Sequence, residues 1–284
     1  MKKKSIESVY TPQSPLRKPI QFVAAMFGDL IYSRELAWRL LCRNISAKYR
    51  QTILGYLWAF LPPLVTTATF SFLNSQKIFN IGKTNIPYPA FVLIGTLFWQ
   101  VLVESIHSPF RVFKSSKSFL GKINFPKEAL FWVSVGEVLF NFCIKAFLLI
   151  PVLLWFRIPL PSTIIIAPLG LLSIISLGLT IGIWLMPIGM LYHDIQKGMR
   201  FITSVWIFLT PVVYPPPSSW PASLLVKLNP ASPLIVTARE MLTTGNISQL
   251  SAFIVVSLLT VVFLFIGWIL LRTSLPFLIE RMGS

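Results

Sequence analysis

The sequence predicts an all-α integral membrane protein with six transmembrane helices, and three observations carry that expectation. Of its 284 residues, 55% are hydrophobic and 12% charged, against roughly a quarter charged in an ordinary soluble domain. The mean hydropathy is +0.73, and the apolar residues gather into runs of the ~20 residues a helix needs to cross the hydrocarbon layer. The 25 Lys and Arg outnumber the 9 Asp and Glu, and they crowd into alternate loops between those runs.

Six runs qualify: Ile53–Asn74, Tyr88–His107, Ala129–Phe156, Thr163–Leu191, Met199–Tyr214 and Ala252–Leu271. In the first, the adjacent Pro62 and Pro63 remove backbone donors and predict a kink or break in mid-span. The fifth is short and ends at Pro211. Ten Lys and Arg precede the first run, five lie in 108–128, two in 192–200 and two beyond Leu271. The intervening loops 75–87, 157–162 and 215–250 hold two, one and two. The positive-inside rule therefore puts both termini in the cytoplasm. Topology and anionic lipid account for the basic excess, so no nucleic-acid partner is needed.

Three parts are expected: a cytoplasmic extension 1–28, an amphipathic interface helix 29–52, and the six-span domain 53–284. The N-terminus is basic, but its apolar patch Ile20 to Met26 is too short for a convincing signal peptide. In "RELAWRLLCRNISAKYRQT", Trp38, Leu41, Cys42, Ile45 and Tyr49 fall on one helical face, and Arg39, Arg43 and Arg50 on another. That pattern suits a helix lying in the membrane interface. It is either a passive lipid anchor or, since it runs into the first span, a lever.

The cytoplasmic loop 108–128 contains "SKSFLGKINFPKEAL". A short helix is expected around Lys114–Gly121, stopped by Gly121 and the Phe125-Pro126 pair. Phe119, Leu120, Ile123 and Phe125 are too apolar for a solvated linker. They fit a groove on another protein with Lys117 and Lys122 at its rim, or they dip into the interface while the lysines snorkel.

In the third run, Glu137, Asn141 and Lys145 recur every four residues and share one face. Glu104 of the second run lies at similar depth. Charges there cost several kcal/mol unless paired or hydrated, so this face should look inward. It forms a polar clamp or, alternatively, part of a proton-coupled pathway. Aromatic residues are plentiful, including Phe72, Phe91, Phe201 and Phe208. They belong to interface belts and lipid-facing surface, or they offer rings on which sugars stack. The segment "TPVVYPPPSSWPASLLVKLNPASPLIVTARE" is too apolar for a loop and too broken by proline to span. Short helices around Ala222–Leu228 and Pro233–Leu242 fit a re-entrant pair at the outer face.

Two cysteines, Cys42 and Cys143, and two histidines, His107 and His193, make neither a disulfide framework nor a metal-ligand cluster. "NIGKT" at 80–84 resembles the end of a phosphate-binding loop, but Lys77 stands where that loop needs glycine. An Asp-x-Asp pair, a nucleophile elbow and a dinucleotide fingerprint are all missing. No catalytic residue, metal or cofactor is expected on this chain, and energy for any work must come from another.

The basic amphipathic helix entering "LGYLWAFLPPL", the "KSFLGKINFPKEAL" loop, the "YHDIQKGM" turn and "TPVVYP…LNPASPLI…ARE" occur in that order. Together they resemble the membrane subunits of the ABC exporters for O-antigen, capsule and teichoic-acid polysaccharides, from about Asp29 to the end of the chain. The resemblance implies a multi-pass protein of the bacterial cytoplasmic (inner) membrane. It implies a homodimer with two copies of an ABC ATPase, which hold the ATP and magnesium, and a lipid-linked glycan as substrate. The loop after the second span becomes a coupling helix, with Lys117, Phe119, Leu120, Lys122, Phe125 and Pro126 in an ATPase cleft. Asp194 and Lys197 become a second contact, and Ala222–Leu242 the outer helices shaping the exit. Trp58, Phe60, Phe70, Tyr88, Phe98, Trp99, Trp206 and Tyr214 become the lining of a glycan channel.

The extension before Asp29 is a departure from the family pattern and has no implied role. The rival readings are a permease of the same class for a drug or lipid, a secondary transporter and a membrane glycosyltransferase. The second lacks visible inverted repeats, and the third lacks metal-binding acids.

Overall fold

In lipid every backbone N–H and C=O must be satisfied within the chain, so apolar runs of this length become helices. The computed structural model describes residues 18–50, 55–78, 82–120, 126–217 and 219–283, and among these residues there are helices and turns but no strand. Four helical stretches are long and apolar enough to cross a membrane: Tyr88–Ser116, Glu128–Trp155, Ser162–Leu191 and Leu250–Leu278. They correspond to the second, third, fourth and sixth expected runs.

The chain opens with α1 (Pro19–Tyr32) and α2 (Arg34–Arg50), hinged at Ser33. Pro19 is well placed at the first helical position, where its missing donor costs no hydrogen bond. The expected boundary after residue 28 therefore falls inside a helix. A 3₁₀ turn, Gly55–Ala59, leads into α3 (Leu61–Ser75). At Pro62 and Pro63 the expected run is broken rather than kinked: the 3₁₀ turn ends at Ala59 and α3 starts at Leu61. They sit in the first turn of α3, where amides lack intrahelical acceptors in any case. At 15 residues, α3 is about 22 Å long, shorter than the hydrocarbon layer.

The next helix, α4, runs unbroken from Tyr88 to Leu120. The second run was expected to end at His107, with a separate short helix from Lys114. No such separate helix forms, because 108–116 offers only Pro109 as a breaker and α4 continues through it. α5 (Glu128–Ala146) and α6 (Leu149–Trp155) make the third span. Pro151 cannot donate to residue 147, which accounts for the break between them. A 3₁₀ turn, Ser162–Ile166, precedes α7 (Ala167–Leu191), and Tyr192 alone separates α7 from α8 (His193–Leu209). Then come α9 (Ala222–Leu228), α10 (Ala231–Thr243) and α11 (Leu250–Gly283). The last helix extends well past the expected limit at Leu271.

α4 is the central pillar, packed against α7, α5 and α3, while α11 lies on α7. The α4–α7 contact depends on Gly178 and Gly182. A Cβ at Gly178 would lie 2.4 Å from Ser105 Cβ, and one at Gly182 would lie 2.4 Å from the Ile106 carbonyl oxygen. Small residues four apart are how membrane helices bring their backbones together. At one end of the bundle gather α1, α2, the end of α4, the start of α5, the α7–α8 turn and the end of α11. This is the basic end. At the opposite end α10 is buried along nearly its whole length.

Candidate functional site

At the basic end α2 and α5 lie side by side in parallel. Asn44 faces Glu137 and Lys48 faces Asn141, each pair 93 residues apart. A constant offset is what two parallel helices in register produce. Asn44 Nδ2 donates to Glu137 Oε1 at 3.0 Å, and Lys48 Nζ to Asn141 Oδ1 at 3.1 Å. Arg111 of α4 reaches the second Glu137 oxygen at 3.4 Å. One turn beyond Asn141 on α5, Lys145 pairs with Glu104 of α4, its side chain only 8% exposed. An open cleft of ≈ 440 Å³ remains between the three helices. The expected polar face is thus inward and paired, and it clamps α2, α4 and α5 together. Asn44 and Lys48 escaped the sequence reading, although their four-residue spacing matches that of Glu137 and Asn141.

The apolar stripe expected on α2 is divided. Ala37 and Leu40 are buried, and Leu41 fills the hollow left by Gly136, where a Cβ would sit 2.6 Å from Leu41 Cδ2. Trp38 is 65% exposed and Cys42 is exposed; the hollows of α5, not helical periodicity, choose which side packs. The Tyr49 side chain lies outside the described residues. Arg39 pairs with Glu35 on the open face, Arg43 bonds Asn44, and Arg50 is exposed.

The backbone of Lys117, Phe119 and Leu120 forms the last turn of α4, and their side chains lie outside the described residues, as do Gly121, Lys122, Ile123 and Phe125. Pro126 leads into α5, its carbonyl accepting from the Ala129 amide at 3.1 Å. Asp194 and Lys197 are exposed in the first turns of α8, where Gln196 Nε2 closes the turn on the Gly189 carbonyl at 3.2 Å.

Beside them lies a junction the sequence reading missed. Arg272 of α11 donates to Glu128 Oε1 and to Asp29 Oδ2, both at 2.6 Å. It thereby joins the end of α11, the first turn of α5 and the end of α1. Trp132 Nε1 donates to the Leu30 carbonyl at 2.9 Å. Trp268 packs edge-on to Phe27 and stacks with Phe131, linking the same three helices. Burial pushes neighbouring Lys127 below the ordinary lysine pKa; Glu128 opposes that shift and Arg272 adds to it.

The eight aromatic residues assigned to a channel separate into groups. Phe98 and Trp99 are 4% and 5% exposed and fill the interior of the chain, because α4 is covered on several sides. Phe98 stacks on Phe142, and Trp99 meets Trp206 edge-on at 5.7 Å. These two do not face an open passage. Tyr88 and Tyr214 are half-buried, their hydroxyls donating to the carbonyls of Val213 and Phe208 at 2.9 Å each. Phe60 and Phe70 are also half-buried, whereas Trp58 is 55% exposed. Exposed rings do occur on one row of α8, Phe201 and Phe208, and around α3, Tyr56, Trp58 and Phe72, among others elsewhere on the chain.

At the opposite end the turn after α8 is knotted by two side chains. Asn229 donates to the Leu209 carbonyl and Thr210 Oγ1, and its own oxygen accepts from Trp206 Nε1 and the Ala231 amide. Arg239, 3% exposed, donates to the carbonyls of Val212 and Pro211 at 3.1 and 3.2 Å. Its guanidinium lies 3.6 Å over the Phe91 ring. Gly95 leaves the space, since a Cβ there would be 2.3 Å from the Val212 carbonyl oxygen. α9 and α10 match the short helices expected in this segment within two residues.

The sequence profile of the ABC-2 type transporter family matches residues 35–243. The O-antigen export system permease protein RfbA of Myxococcus xanthus is 24% identical over 240 residues, 83% of this chain and 91% of that protein. An RfbA permease of Klebsiella pneumoniae is 21% identical over 227 residues, 78% of this chain and 85% of its own. The polysialic acid transport protein KpsM of Escherichia coli is 25% identical over 259 residues, 82% of this chain and 91% of its own.

Proposed function

The chain belongs to the ABC-2 type transporter family, and from that premise we propose that it is the permease subunit of an ATP-driven polysaccharide exporter. Its substrate is a lipid-linked glycan moved outward across the bacterial cytoplasmic membrane. The observation that carries this reading is the match, over most of the chain, to permeases named for O-antigen and polysialic acid export. ATP and magnesium are held by a separate ATPase, and this chain supplies the path.

In this reading α3 and α8 complete a six-span topology with the four long apolar stretches. The basic end is cytoplasmic, following its excess of Lys and Arg, and α9 and α10 form the re-entrant pair that shapes the outer exit. A second copy of the chain covers part of the exposed apolar surface of α3 and α8. The rest lines the passage, where Trp58, Phe201 and Phe208 offer flat rings. Rings stack on the apolar faces of sugars without directional hydrogen bonds, so a repeating polymer can slide past them. The end of α4 and residues 121–126 dock on the ATPase, with Asp194 and Lys197 as a second contact, two ATPase copies serving two permeases.

Co-purification in mild detergent, followed by mass determination, tests the partner. An ATPase in equal number with the permease is expected; a homo-oligomer without one would overturn the exporter reading. Loss of surface glycan on deletion tests the substrate, and export of a small lipid or drug alone would move the assignment within the family. The Phe119→Asp, Phe125→Asp double variant should insert normally but release or uncouple the ATPase. Unchanged export in that variant would remove the docking role.

A further inference from the structure

Segment 19–28 has no counterpart in the family resemblance, yet it is helical and joined to the rest of the chain. We infer that Arg272 is a positioning residue for transport: it locks the exit of the coupling loop to α1 and to the last span. The movement of that loop is thereby shared among three helices. This inference rests on the exporter reading above, which makes the 117–126 segment the ATPase contact.

Glu128 stands two residues beyond Pro126 and is the first residue of α5. Any displacement of the docking loop enters α5 there. A helix start is its weakest point, because its first amides have no partners in the helix. A side-chain cap from the preceding residue is the usual remedy, but Lys127 makes no such bond. Two of these amides, of Ala129 and Leu130, reach the Pro126 and Lys127 carbonyls at 3.1 Å each, and the turn is tied to its neighbours through the Glu128 side chain. Glu128 is 6% exposed and receives a guanidinium donor at 2.6 Å. The second fork of the same guanidinium takes Asp29 at 2.6 Å. The planar fork is what lets one side chain join two carboxylates on different helices, which a lysine cannot do with the same geometry.

The remaining contacts make the junction a packed cluster rather than a single surface ion pair. The guanidinium carbon lies 5.4 Å from the Phe22 ring centroid. One turn back on α11, Trp268 touches Phe27 of α1 and Phe131 of α5. Leu271 and Leu275, flanking Arg272 on α11, are buried. α1 therefore acts as a strut across the ends of α5 and α11. Through Ser33 it continues into α2, which is clamped along α5 by Asn44 and Lys48. A push on the loop reaches α2, α5 and α11 together instead of bending the start of α5 alone. That is a positioning role, since Arg272 touches neither the glycan nor ATP in this reading.

The test uses the complete permease–ATPase complex in lipid vesicles, measuring glycan exported per ATP hydrolysed alongside thermal stability. Arg272→Gln should still assemble with its ATPase and hydrolyse ATP at close to the original basal rate, while export per ATP falls about tenfold. Asp29→Asn removes only the arm to α1, at a carboxylate 40% exposed. It should fold normally and lose about threefold in the same ratio. Arg272→Lys should fall between the glutamine variant and the unchanged protein.

An unchanged ratio in both Arg272→Gln and Asp29→Asn would overturn the inference. So would export, ATP hydrolysis and stability falling in proportion, which would mean a merely structural role. If Arg272→Gln does not fold, Asp29→Asn alone decides by the same ratio. Failure of the exporter reading is seen separately, as absence of ATPase or glycan transport in the unchanged protein.

Discussion

α4 and α11 are both long apolar helices, and they meet opposite surroundings. In the most apolar stretch of α4, 78% of the residues are buried within the chain, against 17% in α11. The more apolar of the two helices is the less buried. A soluble protein would reverse that order, but lipid is itself an apolar solvent, and hydropathy here reports contact with lipid rather than with a core. The interior helix can therefore carry polar groups that lipid would reject: Glu104, Ser105, Ser108 and Gln100 all belong to α4. Each needs a neighbour that fits it or pairs with it. α11 needs only to stay apolar along most of its length.

That contrast predicts how substitutions rank. The largest effect is expected for Gly182→Leu, which drives a side chain into the α4 backbone at the Ile106 carbonyl. Overpacking typically costs about 1–3 kcal/mol, and contact with backbone puts this site at the upper end. Loss of monodisperse protein in detergent would show it, and a normal elution profile would break the picture of α4 as a tightly enclosed pillar.

An intermediate effect is expected for Lys145→Met, which leaves the Glu104 carboxylate without its partner inside the bundle. Breaking a fully dry pair costs more, but with the Glu104 side chain 22% exposed solvent screens the loss to about 1–2 kcal/mol. The Lys145→Met, Glu104→Gln double variant should recover most of the lost thermal stability. If the double variant is as weak as the single, the pair is not what holds these helices. The smallest effect is expected for Leu258→Ala on α11, a residue 63% exposed, where the change should stay within about 0.5 kcal/mol. A large loss there would mean that a second copy of the chain, not lipid, covers that face.

Much of the outer segment was legible in the sequence because punctuation residues act locally. Pro221 and Pro230 mark the starts of α9 and α10, and Gly245, with φ +74°, ends α10 by returning its amide to the Glu240 carbonyl at 2.8 Å. Pro211 likewise set the limit of α8. Pro62 and Pro63 also mark a break, just ahead of α3, although local reasoning leaves a kink open as well, since proline fits a first turn as readily as a kink. Phe98 and Trp99 were assigned to an open channel because aromatic identity says nothing about which side of a helix is covered. The packed side of α2 was likewise decided by a hollow at Gly136, almost a hundred residues away.

Composition and local pattern are enough to give the solvent of this protein, its helical class, the apolar runs and the bias of positive charge to one end. Those properties follow from composition and from periodicities of a few residues. Which charges meet follows from the packing of the helices. Glu137 and Asn141 find Asn44 and Lys48 across 93 residues, and Arg272 finds Glu128 and Asp29 across 144 and 243. The reason is physical: a charged group in lipid must find an opposite charge or a polar partner, and which one is within reach depends on how the helices pack, which no local pattern encodes.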